Sequence, residues 1–384
     1  MIRDPESFNI LLDTVSRFVR ERLIPREAEV AASDEIPQDI LSDMRNMGLF
    51  GLTIPEEYGG LGLTMEEEVE VAMALCHASP AFRSIVGTNN GIGSLGIVID
   101  GTEAQKERYL PRLARGEIIG SFALTEPGAG SDAASLTTNA RRDGDHYVIN
   151  GAKRYITNAP EAGVFTVMAR TDPASTDAGG VSAFIVERGT PGLAVGRPDR
   201  KMGQRGSHTA DVVFDNVRVP AENLIGGREG MGFKTAMKVL DKARLTIAAV
   251  CVGAAERILD EALQYALDRE QFGKPIAEFQ LTQAMLADSK AEVYAGRSMV
   301  LEAARKRDGG ASITLEASCC KLYASEMVCR VADRAVQVHG GAGYMQEYVV
   351  ERFYRDVRLF RLFEGTSQIQ QLVIARSMIR QARG

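Results

Sequence analysis

Three segments of the 384-residue chain carry residue types that could do chemistry. The first is Phe363-Glu364-Gly365-Thr366-Ser367-Gln368, just ahead of a run rich in Ile and Leu. A carboxylate placed by a Gly-containing turn can act as a general base. It can equally be a helix-start charge favoured by the dipole, with Ser or Thr as cap. The local pattern leaves both readings open. The second is Thr125-Glu126-Pro127-Gly128-Ala129-Gly130-Ser131-Asp132. Gly and Ser let a backbone approach a ligand closely and present amides and hydroxyls, yet a plain turn has the same composition. The third, Gly91-Ile92-Gly93-Ser94-Leu95-Gly96, fits G-x-G-x-x-G. A dinucleotide site needs a strand ending at the first glycine and a helix opening after it. Gly87-Thr88-Asn89-Asn90 precedes the motif in a helical zone, so close helix packing through small residues is the better reading.

Other chemistries find little support. Cys76, Cys251, Cys319, Cys320 and Cys329 are an odd, sparse set. They read as reduced thiols of an intracellular protein, not as a disulfide framework. His77, His146, His208 and His339 show no paired-ligand spacing with each other or with the thiols, and no metal site is expected.

The elements that must hold these segments follow from the period of the sequence, which changes twice. From Ser7 to about Arg115 it is helical, broken by loops such as PEEYGGLGLT at 55–64. From about Ser121 to Gly230 short β runs take over, at Val164–Ala169, Val181–Val186 and Ala210–Val219. Asn150-Gly151, flanked by alternating residues, predicts a hairpin. Short strands with no helices between them predict an antiparallel sandwich or barrel. From Gly232 the helical period returns, with runs to about Arg269, then Gln280–Arg307, Ile313–His339 and Ser367 onward. Long helices with short breaks predict an up-and-down bundle. The expected fold class is α+β, mostly α. It has a helical N-terminal domain (1–117), a middle antiparallel β domain (118–230) and a C-terminal four-helix bundle (231–384).

Hydrophobic residues make up 45% of the chain and charged residues 25%, which excludes disordered and fibrous classes. A net charge of −6 argues against nucleic acid or an anionic membrane as main partner. No apolar run reaches the ~20 residues of a membrane span. The opening MIRDPESFNILLDTV lacks secretory and transit character, and a cytoplasmic, bacterial setting is expected.

Seven stretches, in order, carry a resemblance: PEEYGGLGLT, FALTEPGAGSD, NGAKRYITNA, KMGQRGSHTADVVFDNVRVP, ALDREQFGKPIAEFQ, DRAVQVHGGAGY and FEGTSQIQ. From end to end the chain resembles the acyl-CoA dehydrogenases. That family has the same α–β–α plan, one FAD per subunit, and dimeric or tetrameric assembly. The resemblance implies that Phe122, Leu124, Thr125 and Ser131 form one flavin segment, and Tyr155 and Thr157 a second. It implies that Arg269, with Gln271, Phe272 and Gln280, reaches the FAD of a neighbouring subunit. Gln337, Gly340 and Gly341 would cradle its adenosine diphosphate portion, and Thr366 and Gln368 would complete the site. Asp241, Arg244, Ser131 and Gly365 match substrate-binding positions.

Some family members carry the base just before that arginine, where this chain has Ala243. The resemblance therefore implies Glu364 as the base. The expected reaction is α,β-dehydrogenation of a short- or medium-chain acyl-CoA to the trans-2-enoyl thioester, with electrons passed to electron-transfer flavoprotein. Ala81-Phe82-Arg83-Ser84 resembles the glutaryl-CoA dehydrogenase branch, in which an arginine holds a distal carboxylate. Arg83 thus makes a dicarboxylyl-CoA the alternative substrate, although that branch's upstream acid is Cys76 here. A flavin-dependent lyase and an oxidase on the same fold are further alternatives. Retention of Glu364 counts against the first and the compact length against the second.

Overall fold

The computed structural model describes residues 1–175 and 177–383. The chain opens with seven α-helices: α1 (Pro5–Phe18), α2 (Glu27–Ser33), α3 (Gln38–Asn46), α4 (Met65–Leu75), α5 (Pro80–Thr88), α6 (Leu95–Asp100) and α7 (Glu103–Ala114). Their starts are encoded locally. Asp4 accepts from the amides of Glu6 and Ser7, while Thr64 with Glu67, and Thr102 with Gln105, form capping boxes.

Seven strands follow: β1 (Gly120–Ala123), β2 (Asn139–Asp143), β3 (His146–Thr157), β4 (Val164–Arg170), β5 (Val181–Glu187), β6 (Leu193–Val195) and β7 (Thr209–Pro220). They form one sheet in the order β1-β4-β2-β3-β7-β6, with β5 also on β4. The sheet is mainly antiparallel, but β1 runs parallel to β4, and β2 meets β4 in parallel at one residue pair. A purely antiparallel domain is therefore corrected to a mixed one: β5 covers one edge of β4 from Val164 to Arg170, and β1 and β2 both lie along the other edge in the direction of β4.

The Asn150-Gly151 hairpin is also corrected. β3 runs straight through that pair, which sits at a register shift against β7. Gly151 takes φ +151°, and a Cβ there would stand 2.3 Å from Thr138 Oγ1. The glycine serves a close crossing, not a turn. The real hairpin turns at Gly144-Asp145, with Asp143 paired to His146 and Gly144 at φ +64°.

The chain then returns to helix with α8 (Gly232–Asp268), crosses the small hairpin β8 (Glu270–Gln271) and β9 (Lys274–Pro275), and continues with α9 (Gln280–Asp308), α10 (Thr314–His339), α11 (Val349–Val357) and α12 (Ser367–Arg383). α10 packs on α8, α9 and α12, and α4 packs against α8 and α9. One core fills the bundle around Leu245–Ala255 and Met327–Ala335. Another joins Phe122 and Leu124 to Tyr109 of α7 and Ala236 of α8, seating the sheet on the helices. Among the described residues no helix is long and apolar enough to cross a membrane.

Candidate active site

Sheet, N-terminal helices and bundle meet around a cavity of about 400 Å³. α5 contributes Arg83. The π-turn after it contains Asn89, whose side chain donates to the carbonyls of Phe50 and Leu113 and accepts from the Gly120 amide. That buried side chain ties the cavity's helical wall to β1. Gly93 packs against the Gly120 backbone, where a Cβ would come within 2.7 Å, so the G-x-G-x-x-G run does serve close packing there.

β1 brings Phe122 to the cavity, and the loop after it brings Leu124, Thr125 and Ser131. It is anchored from inside by Glu126. This carboxylate accepts from the Thr137 and Thr138 amides and from Lys153 Nζ at 2.8 Å. Burial raises the Glu126 carboxyl, but Lys153 and the hydrogen bonds prevail and leave it at about 2. Lys153 is driven down by its own burial, to about 8, so both groups are charged at neutral pH.

β3 supplies Tyr155 and Thr157. The β3–β7 register shifts between Lys153 and Ile156, and Tyr155 takes φ +58° at this bulge. The bulge turns its ring outward, 60% exposed. The Arg154 guanidinium stands 5.0 Å from the ring centre.

α8 supplies Ala243 and the buried Arg244. Arg244 donates to Asp241 at 2.7 Å, and Asp241 also accepts from Thr314 at 2.7 Å. Asp241 therefore supports Arg244 from behind and does not line the cavity. Ala243 offers no group that could take a proton.

Glu364 and Gly365 line the cavity from the turn before α12. Both are left-handed, at φ +53° and +90°. For a glutamate this costs roughly 1–2 kcal/mol. Burial pushes the Glu364 carboxyl up to about 7, against the pull of Arg83, Lys321 and Arg244. Its Oε2 is buried without a hydrogen-bond partner among the described residues, as are Lys201 Nζ and Arg244 Nε. A carboxyl poised near neutrality, facing an apolar and partly basic cavity, is suited to taking a proton from a bound substrate.

The amino-acid sequence matches three family models. Residues 5–117 match "Acyl-CoA dehydrogenase, N-terminal domain", 121–217 the middle domain and 230–379 the C-terminal domain. The chain belongs to the acyl-CoA dehydrogenase family. Its members are flavin-dependent oxidoreductases acting on the CH–CH bond of acyl-CoA. The chain is 44% identical over 371 residues to a Bacillus subtilis (strain 168) protein named "Probable acyl-CoA dehydrogenase YngJ", covering 96% of this chain and 97% of that one. It is similar to the solved butyryl-CoA dehydrogenase of Megasphaera elsdenii, with TM-score 0.94, 35% identity, and 99% and 100% of the two chains covered. It is also similar to a glutaryl-CoA dehydrogenase in complex with glutaryl-CoA, with TM-score 0.93, 34% identity, and 99% and 96% covered.

Not all the residues implicated by sequence meet in this dehydrogenase chain. Thr366 and Gln368 adjoin the cavity without lining it, Gln368 pointing to solvent. Arg269, Gln271, Phe272, Gln280, Gln337, Gly340 and Gly341 stand apart. The 25 residues of α8 between Ala243 and Arg269 span roughly 40 Å at 1.5 Å per residue. Tyr265 stacks on His339 at 4.1 Å, which brings the ends of α8 and α10, and so these seven residues, to one far end of the bundle.

Sequence reasoning assigned no role to Lys201, Gln204, Ser207 and Thr209, which line the cavity from the segment before β7 and its first residue. They lie in the KMGQRGSHT stretch, whose density of polar residues was a usable signal. It also missed Lys321, which lies beneath the Glu364 turn.

Proposed function

We propose that the protein is an FAD-dependent acyl-CoA dehydrogenase that converts a short- or medium-chain acyl-CoA to its trans-2-enoyl thioester, with Glu364 as the base. The observation that carries this reading is the Glu364 carboxyl, buried, unpartnered at Oε2 and raised to about 7 at the cavity wall. FAD, when bound, supplies the two-electron acceptor for the β-hydride, and electron-transfer flavoprotein takes the electrons onward.

The residues present fit such a cofactor. Phe122, Leu124 and Tyr155 offer surfaces for a flat ring, and Thr125, Thr157 and Ser131 offer hydroxyls. Gly130 has open space above it. Arg244 and Gly365 face the acyl thioester. Glu364 takes the α-proton at its unpartnered Oε2. Hydrogen bonds to the thioester oxygen, one of them from the Glu364 amide, stabilise the developing enolate. The far-end set acts on the cofactor of a partner copy. It lies too far from its own cavity, and Phe272, Leu281 and Tyr344 stand exposed beside it. This supports a homo-oligomer, with a tetramer the reading adopted.

Anaerobic mixing with butyryl- and hexanoyl-CoA tests the base. Glu364→Gln should retain flavin yet bleach it roughly 10²–10⁴-fold more slowly. Bleaching within a few-fold of wild type would remove Glu364 from the role.

One observation favours a second substrate class. Arg83 lines the cavity, only partly buried, and makes no ion pair among the described residues. Cys76, in the position of the related branch's acid, is fully buried and its thiol is pushed up to about 12. A free guanidinium in an acyl pocket suits an acyl-CoA with a terminal carboxylate.

A further inference from the structure

Lys321 projects from α10 into the bundle core and is fully buried. Its Nζ donates to the carbonyl of Gly365 at 2.7 Å, and among the described residues it makes no ion pair. A buried ammonium is costly without compensation, and an apolar side chain would fill the same space. The charges around it leave few partners. Cys251 faces it from α8, but burial drives that thiol well above its ordinary range, so it stays neutral. Arg244, also from α8, has the same sign as Lys321. Glu326, on α10 itself, is already engaged by Arg361 at 2.8 Å and Ser367 at 2.6 Å. The remaining acid in its surroundings is Glu364.

A second buried side chain grips the same turn. Gln370, fully buried on α12, donates from Nε2 to Gly365 O at 3.1 Å and to Glu364 O at 3.3 Å. A Cβ on Gly365 would come within 2.6 Å of that nitrogen. The two consecutive left-handed residues are thus fastened through their carbonyls from beneath, while the Glu364 carboxyl stays free above.

We propose that Lys321 is a positioning residue that, together with Gln370, holds the Glu364–Gly365 turn and sets a fixed positive charge behind the base. The inference rests on Glu364 being the base. Three cations face that carboxyl: Arg83 from α5, Arg244 from α8 and Lys321 from α10. The two arginines border the substrate space. Lys321 is held to the turn itself; burial lowers its pKa, and the charge it carries acts on the base from behind.

The test uses flavin-loaded protein with Lys321→Met, which removes charge and donor, and Lys321→Gln, which keeps a donor. The Glu364 carboxyl is titrated by infrared difference spectroscopy, its band assigned by its loss in Glu364→Gln. The pH profile of flavin reduction by butyryl-CoA is recorded beside it. Both variants should move the band's midpoint, and the acid limb of the profile, upward by about one pH unit. Lys321→Met should also lower the plateau rate about ten-fold or more, with Lys321→Gln retaining more of it and KM changing less than kcat. If Lys321→Met does not fold, the midpoint in Lys321→Gln decides. An unchanged midpoint in a folded, flavin-loaded variant overturns the Lys321 role. If Glu364→Gln still bleaches flavin at the wild-type rate, the base assignment itself falls, and with it this inference. An inactive Glu364→Gln beside unperturbed Lys321 variants refutes only the Lys321 role.

Discussion

Glu364 should make the protein less stable as pH rises, and Glu364→Gln should expose that cost. The carboxyl is raised from 4.5 to about 7 in the folded chain, through burial that Arg83, Lys321 and Arg244 offset only in part. An acid with a raised folded pKa binds its proton more tightly in the native state. Its neutral form therefore contributes fully below 4.5, and the contribution is lost as pH climbs toward 7. Glutamine mimics the neutral form at every pH. At ~1.4 kcal/mol per pH unit, the variant should exceed wild type by about 1 kcal/mol at pH 5 and about 3 kcal/mol at pH 8. For 384 residues, the unfolding entropy is on the order of 0.8 kcal/mol per kelvin. The Tm advantage of Glu364→Gln should thus widen by about 3 °C between pH 5 and pH 8. Matched thermal melts of the two flavin-loaded proteins measure it. An advantage that is equal at both pH values, or larger at pH 5, would mean that the carboxyl is not held desolvated, and the argument for a base poised near neutrality would fail with it.

Arg83→Met should weaken flavin reduction by glutaryl-CoA relative to butyryl-CoA if the free guanidinium reads a carboxylate; an unchanged ranking leaves the plain acyl-CoA reading standing. Arg269→Ala should release FAD more readily while leaving the fold intact, and a stable monomer binding FAD tightly in ultracentrifugation would contradict its role across an interface. The segment 204–208 should loosen at alkaline pH. Its His208 sets Nδ1 against Glu161 and Nε2 against the Asp34 carbonyl, two acceptors that only an imidazolium can satisfy. The Glu161 hydrogen bond, opposed by burial, raises the His208 pKa above 6.5, so the docking is complete below 6.5 and lost as pH rises through the raised value. Once corrected for the base-catalysed intrinsic rate at each pH, hydrogen-exchange protection there should fall between pH 6 and pH 9 in wild type and stay constant over that range in His208→Gln.

The helical zones were legible because their apolar spacing is a local signal that long packed faces amplify. α8 begins at Gly232 and ends at Asp268, within a residue of where the pattern stops. The sheet was less so. Both Asn150-Gly151 and Asp143-Gly144 carry turn chemistry, and what decides between them is the crossing of Thr138 over Gly151, a contact invisible in local sequence. The parallel β1–β4 pairing likewise joins residues far apart in the sequence, Gly120 with Val164 through Ala123 with Val167. In the site, Glu364, Thr125, Ser131 and Tyr155 could be placed because motifs carry them. Asp241 was read as a substrate-binding position; in the structure its carboxylate is engaged by Arg244 and Thr314. A residue's type says that it can bind; only its neighbours say whether it is still free to.

That distinction bears most directly on the Glu364–Gly365 turn. Glu364 combines a left-handed backbone, a buried carboxyl and an unpartnered oxygen, each of which opposes folding by itself. A chain of 384 residues can sustain such a site only where other contacts over-determine it. Those contacts come from Lys321, 43 residues earlier in the sequence, and from Gln370, one turn into the next helix. Lys321 belongs to none of the quoted stretches and Gln370 only closes FEGTSQIQ, and in isolation each reads as an ordinary polar residue on an amphipathic helix. Their complete burial beneath one carbonyl gives them a specific task. The strain at Glu364 is held by groups that do not line the cavity, so with Glu364 as the proposed base, changes at Arg83 or along α8 would alter substrate preference without disturbing its geometry.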